Sequence, residues 1–384
     1  MLKDLSFSDC FPIFPIKMAL QKNRLLGYVF IMVWGTLLWQ QCRSGEPLLP
    51  VSDVNFRPEA LPYRNLSEYG FFVGTAASLR PNERVLPYDL ITPLFSDYAW
   101  KARYVWMPDS VQATVSAQGD ILFPDHTVLI KTFYYPKDFR RPNTHRQLME
   151  TRLLIKQNDE WQAYTYIWDE AQREATLSVI GDFRPASWTD EQGNRHQIEY
   201  VVPNKNQCKS CHNVHNAIQP IGPKVRNLDR SFAYADGATN QLVKWRQTGI
   251  LDKSAQTDDF QALTPWDDPN SGTLHARALA YLDVNCGHCH RPEGPAHTTG
   301  LYLTADQTDK GKLGFCKTPV AAGRGSGGRK FGIVPGQPDA SILLYRMESD
   351  EPSVMMPEFG RVVPHREGIE LIRNWIANME GDCL

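Results

Sequence analysis

The chain has 384 residues, 42% of them apolar and 22% charged, with 41 basic against 43 acidic side chains. That apolar share supplies two or three packed cores and excludes wholesale disorder. A net charge of -2 excludes the broad basic face of a nucleic-acid binder and leaves a protein or small-molecule partner.

At the amino end, Lys22 and Arg24 precede an apolar run from Leu25 to Trp39 that only Gly27, Gly35 and Thr36 interrupt. A basic flank before an apolar run of this length reads as a signal peptide or membrane anchor over 1–42, with Met18 as an alternative start. Cys42 follows the run and offers lipidation as another means of anchoring, although Trp39-Gln40-Gln41 lacks the small residues of a lipoprotein signal. Export implies a periplasmic or other cell-envelope location, where thiols oxidise. Residues 43–60, with Pro47, Pro50 and Pro58 and little periodicity, read as a linker.

Residues 61–202 form the expected β-rich domain. Short aromatic and β-branched runs at Arg103–Met107, Thr127–Tyr135, Thr151–Lys156, Trp161–Trp168, Ala175–Ile180 and Gln197–Val202 predict antiparallel strands in a sandwich-like arrangement. Asn158-Asp159 sits where a hairpin turn belongs. The aromatic residues of this domain serve as core, with a ligand platform as the sharper alternative.

After Pro203 the pattern becomes helical. Residues 203–268 carry Cys208-Lys209-Ser210-Cys211-His212, then a short helix over Gln241–Thr248 stopped by Gly249. Residues 269–384 carry a helix with the face Leu274, Ala278, Tyr281 and Leu282, then Cys286-Gly287-His288-Cys289-His290. A last one-sided helix holds Ile369, Ile372, Trp375, Ile376 and Met379. The expected fold class is therefore α+β, an antiparallel β domain followed by an α-helical region of cytochrome c type.

Two intervening residues let one helical turn present both sulfurs of a CxxCH string to the vinyl groups of one haem, and the adjacent histidine reaches the iron. Cys208 and Cys211, and Cys286 and Cys289, are thus the expected thioether positions of two haem c groups, with His212 and His290 as proximal ligands. A zinc half-site would need further paired ligands and no immediate histidine. Met356, followed by Pro357, is the expected distal ligand of the second haem, with Met355 as its rival and Met347 read as helix core. No methionine lies between His212 and the second motif, so the sixth position of the first haem is open to His215, to His275 or to water.

Gly323-Arg324-Gly325-Ser326-Gly327-Gly328 lacks the lysine-serine/threonine ending of a phosphate loop. It reads as a turn, and its amides with Arg324, or alternatively Arg329, are candidate contacts for haem propionates. Cys316 and Cys383 are the two thiols left unassigned in the processed chain, and an oxidising compartment favours a disulfide between them while leaving both free as the alternative.

The chain also resembles a family of exported bacterial dihaem c-type cytochromes without an assigned role. The resemblance runs from about 60 to 380 and rests on Leu86-Pro87-Tyr88-Asp89-Leu90, Thr92-Pro93-Leu94-Phe95-Ser96-Asp97-Tyr98, Glu150-Thr151-Arg152-Leu153-Leu154 and Tyr281-Leu282-Asp283-Val284-Asn285. It continues through Pro319-Val320-Ala321-Ala322-Gly323-Arg324-Gly325 and Met356-Pro357-Glu358-Phe359-Gly360-Arg361. It implies two haems, export, a β-rich region ahead of the cytochrome part and a protein partner in the envelope. The functional expectation is electron transfer to a redox partner. The alternatives are a dihaem oxidoreductase, peroxidase-like or acting on an organic substrate, with an open first haem, and a haem-based sensor or binding module.

Overall fold

The computed structural model describes residues 53–383. The expected leader or anchor, Cys10, Cys42 and most of the expected linker lie outside them. Among the described residues no helix is long and apolar enough to cross a membrane.

Six strands form one antiparallel meander in sequence order: β1 (Leu86–Tyr88), β2 (Trp100–Trp106), β3 (Val128–Pro136), β4 (Arg146–Gln157), β5 (Glu160–Trp168) and β6 (Ala175–Ser178). β4 turns into β5 through Asn158 and Asp159, both at positive φ, a pair that matches the twist of the flanking strands. A register shift at Phe133/Tyr134 leaves Met149 as the extra residue of β4, a bulge that turns its side chain into a core beside Phe133 and Tyr135.

Strand alternation gives the sheet two unlike faces. Tyr104, Trp106, Val128, Ile130, Leu153, Ile155, Tyr166 and Trp168 point to one face, which a non-strand segment covers with Tyr63, Leu66, Tyr69, Phe71 and Leu79. Part of the expected linker belongs to this cover: Phe56 packs on Trp106 and the Asn55 amide donates to the Tyr69 carbonyl at 2.9 Å. On the opposite face, Val105, Met107, Leu129 and Trp161 pack against Val225, Leu228, Leu242 and Trp245 at one end. At the other end Phe133 and Tyr135 pack against the hairpin of β7 (Asp182–Thr189) and β8 (Arg195–Val202).

The molecule is thus mixed α and β with antiparallel sheets. The layer facing the main sheet is a two-stranded hairpin and not a second full sheet. β7 escapes a reading of periodicity because Pro185 interrupts it and only Ala186 and Trp188 of its eight residues are buried, the pattern of an edge strand.

Helices α1 (Lys205–Cys211) and α2 (Gln241–Gln247) lie against the sheet. Helices α3 (Leu274–Leu282), α4 (Ile342–Glu348) and α5 (Arg366–Ala377) enclose a separate apolar cluster of Leu279, Tyr281, Leu282, Leu344, Met347, Ile372, Trp375 and Ile376. Gly368 permits the close crossing of α3 and α5, since a Cβ there would stand 2.3 Å from the Tyr281 hydroxyl.

Cys316 and Cys383 form a disulfide that spans 67 residues and fastens the carboxyl end to this cluster. Closing a loop of that length restricts the unfolded chain by about 4 kcal/mol in the loop-entropy account. Replacing both cysteines by serine is expected to lower the urea midpoint correspondingly. An unchanged midpoint would show that native-state strain offsets the link.

Candidate cofactor-binding site

Asn204 starts α1. Its side chain accepts from the Gln207 amide at 3.0 Å while Gln207 Oε1 accepts from the Asn204 amide at 2.9 Å, a reciprocal cap that fixes the first turn. The helix lasts long enough to carry Cys208 and Cys211 on one side, and His212 follows at its C-cap. His212 Nδ1 donates to the Gln219 carbonyl at 2.8 Å, which fixes the tautomer and leaves Nε2 as the lone-pair nitrogen. Burial, reinforced by Lys131, drives its pKa down to about 3, so the imidazole is neutral.

The second string grows out of α3. A π-turn over Asp283–Gly287 continues the helix and delivers Cys286, and Gly287 lets it pass Leu303, whose carbonyl oxygen would stand 2.9 Å from a Cβ. Gly294 is required more strictly, because a Cβ there would meet the Cys289 carbonyl oxygen at 2.3 Å. Burial holds His290 down to about 4, and this imidazole too is neutral.

Each string opens into its own cavity. Cys208, Cys211 and His212 line the first, a cleft of about 160 Å³ beneath the sheet face. Cys286, Cys289 and His290 line the second, of about 550 Å³. The cavities share a wall made by Cys211, Asn285, Cys286, His288, Met347, Met356, Pro357 and Phe359. There the interaction between Cys211 and Cys289 pulls the Cys211 thiol down and pushes Cys289 up. Cys289 Sγ also lies 4.0 Å from the Ser210 carbonyl oxygen.

These features fit thioether-bound haem as a donor set: two cysteine pairs, each with a neutral histidine oriented by its other nitrogen or by burial. Among the described residues no three His, Cys, Asp or Glu side chains converge as a bare-ion site. The second cavity is of macrocycle size. The first is narrower and is lined by lysine and arginine side chains.

Met356 lines both cavities, as does Met347, while Met355 lines neither. The Met356 loop is pinned by Arg361, whose guanidinium donates to the carbonyls of Arg346, Met347, Ser349 and Met356 at 2.8–3.2 Å. Arg324 is on the surface in an ion pair with Glu351 and lines neither cavity. His275 accepts a hydrogen bond from Trp375 at 3.0 Å, and His215 is exposed; both are outside the cavities.

Sequence reasoning missed His365 and His288. His365 lines the first cavity, stacked on Phe95 with its Nδ1 3.0 Å from the Tyr281 hydroxyl, and burial brings it down to about 3. His288, inside the second string, is buried in the shared wall. Its position between Cys286 and Cys289 was the available signal. The segment Leu94–Asp97 closes the first cavity from the sheet side: the Phe95 amide donates to Asn285 at 2.8 Å, and Asp97 accepts from the Val362 and Val363 amides at 2.7 and 3.0 Å.

No family model, curated protein or solved structure matches this chain.

Proposed function

We propose that the chain is an exported c-type cytochrome with two covalent haems and that it transfers electrons in the cell envelope. The observation that carries this reading is the pair of cavities, each lined by its own CxxCH triad and joined at a wall that includes Cys211 and Cys286. When bound, haem supplies one-electron exchange between ferric and ferrous iron.

The chain's own residues would do the rest. Cys208, Cys211, Cys286 and Cys289 would anchor the groups; His212 and His290 would hold the irons. Met356 would serve as distal ligand in the second cavity, where a soft thioether favours the reduced state. The apolar lining, Leu301, Leu303, Ile333 and Ile342 among it, would exclude water and raise the energetic weight of every nearby charge.

The test is the visible and electron paramagnetic resonance spectrum of the full chain produced with haem-attachment machinery, oxidised, reduced and with carbon monoxide. Two low-spin haems that ignore carbon monoxide are expected. A high-spin haem that binds it would replace the carrier reading with an oxidoreductase. No covalent haem in the alkaline pyridine spectrum would end both.

Met356→Ala is expected to remove the sulfur-to-iron charge-transfer band and lower one haem's potential, with Met355→Ala leaving both unchanged. The contrast follows from the cavity walls, which include Met356 and omit Met355. The reverse result would reassign the ligand.

A further inference from the structure

Across β2, β3 and β4 the residues Arg103, Lys131 and Arg152 are direct partners in register. All three side chains line the first cavity, as does Lys101, two residues before Arg103 on the same face. Arg361 approaches the same cavity from the helical side and is 5% exposed, with Nη1 buried and without a hydrogen bond. Among the described residues five basic side chains therefore line this cavity, and no aspartate or glutamate does.

The five are not equivalent. Arg103 pairs with Asp89 at 2.7 Å and Arg152 with Glu150 at 2.5 Å, both carboxylates lying behind the wall. Among the described residues Lys101 and Lys131 have neither an ion pair nor a hydrogen bond; Lys131 lies over the Phe133 ring, 5.0 Å from its centre. Like charges directly opposite one another on a sheet destabilise it, and burial multiplies the penalty unless a counter-charge arrives. Burial and the neighbouring arginines bring Lys131 down to about 7 and also lower Lys101, which is what amines lacking an anion do in such a place.

We propose that Lys101 and Lys131, backed by Arg361, form a cradle for carboxylate groups in the first cavity. The proposal rests on the two-haem reading only for the source of those groups, the propionates of the first haem. A free dicarboxylate presents the same chemistry. The β domain then supplies a wall of the cofactor site.

The test uses the full chain, haem-loaded, with Lys131→Met, Lys131→Arg and Lys101→Met. Resonance Raman bands of the haem propionates report their hydrogen bonding, and the thermal midpoint in millimolar succinate reports free carboxylate. If propionates occupy the cradle, Lys131→Met shifts the propionate band of one haem, Lys131→Arg restores it, and succinate has no effect on the midpoint. If a free carboxylate occupies it, succinate raises the wild-type midpoint saturably, with apparent affinity about tenfold weaker in Lys131→Met.

Unaltered bands, no succinate effect, and lysine-to-methionine variants as stable as the wild type or more so would overturn the cradle, because removing an unneutralised buried cation relieves repulsion. Should Lys131→Met fail to fold, Lys101→Met gives the same readings. A chain without covalent haem would defeat the two-haem reading separately, and the succinate arm would still decide the cradle.

Discussion

Replacing Cys208 and Cys211 together by alanine is expected to halve the covalent haem content and abolish a bisignate circular dichroism couplet in the Soret region. The halving follows from the separate cavities: Cys286, Cys289 and His290 keep their own walls and their own supporting turn when the first string is removed. The loss of the couplet follows from the shared wall, to which Cys211 of the first string and Cys286 of the second both contribute, since two chromophores tethered at one wall lie close enough for their strong transitions to couple.

The reciprocal variant, Cys286→Ala with Cys289→Ala, is expected to give the same halving and the same loss. If the wild type carries two haems and shows no couplet, the attachment chemistry stands and the short relay does not. If one cysteine pair removes all haem, the two sites are loaded in obligatory order and the cavities do not act independently.

The two CxxCH strings were legible because they are local: five consecutive residues contain both sulfurs and the histidine. The strands at 128–136 and 160–168 were legible for a similar reason, dense aromatic and β-branched runs bounded by turn residues. The disulfide was one of two readings of Cys316 and Cys383, and the fold brings their sulfurs together.

What escaped depends on residues distant in sequence. Lys131 shares a strand face with Leu129 and Phe133, and Arg152 shares one with Leu154, so charges sat at core positions of the alternation. Their meaning required the register of β2, β3 and β4, which no local pattern supplies. Asp97 likewise reads as a turn residue until the Val362 and Val363 amides reach it from 265 and 266 residues away. Arg361, read only as part of a family string, holds four carbonyls of the Met356 loop and α4.

Glu150→Leu is expected to cost about 3–5 kcal/mol of stability, a cost that should fall sharply when Arg152→Leu is added. Glu150 is fully buried, accepts from Arg152 Nε at 2.7 Å and Nη2 at 2.5 Å, and takes a further hydrogen bond from the Tyr200 hydroxyl at 2.7 Å. Removing it alone leaves Arg152 in a cation-lined wall beside Lys131 with no carboxylate, and leaves the buried Tyr200 hydroxyl without an acceptor. Removing both members also shortens the like-charged rung by one, so the double variant should recover most of the loss even though Tyr200 remains unsatisfied. Urea denaturation followed by tryptophan fluorescence measures all three variants on one scale, with Arg152→Leu as the third. Should the double variant be no more stable than Glu150→Leu, the cost would lie with Tyr200 and the hairpin of β7 and β8 that carries it, and the charge balance of the sheet face would not be what Glu150 maintains.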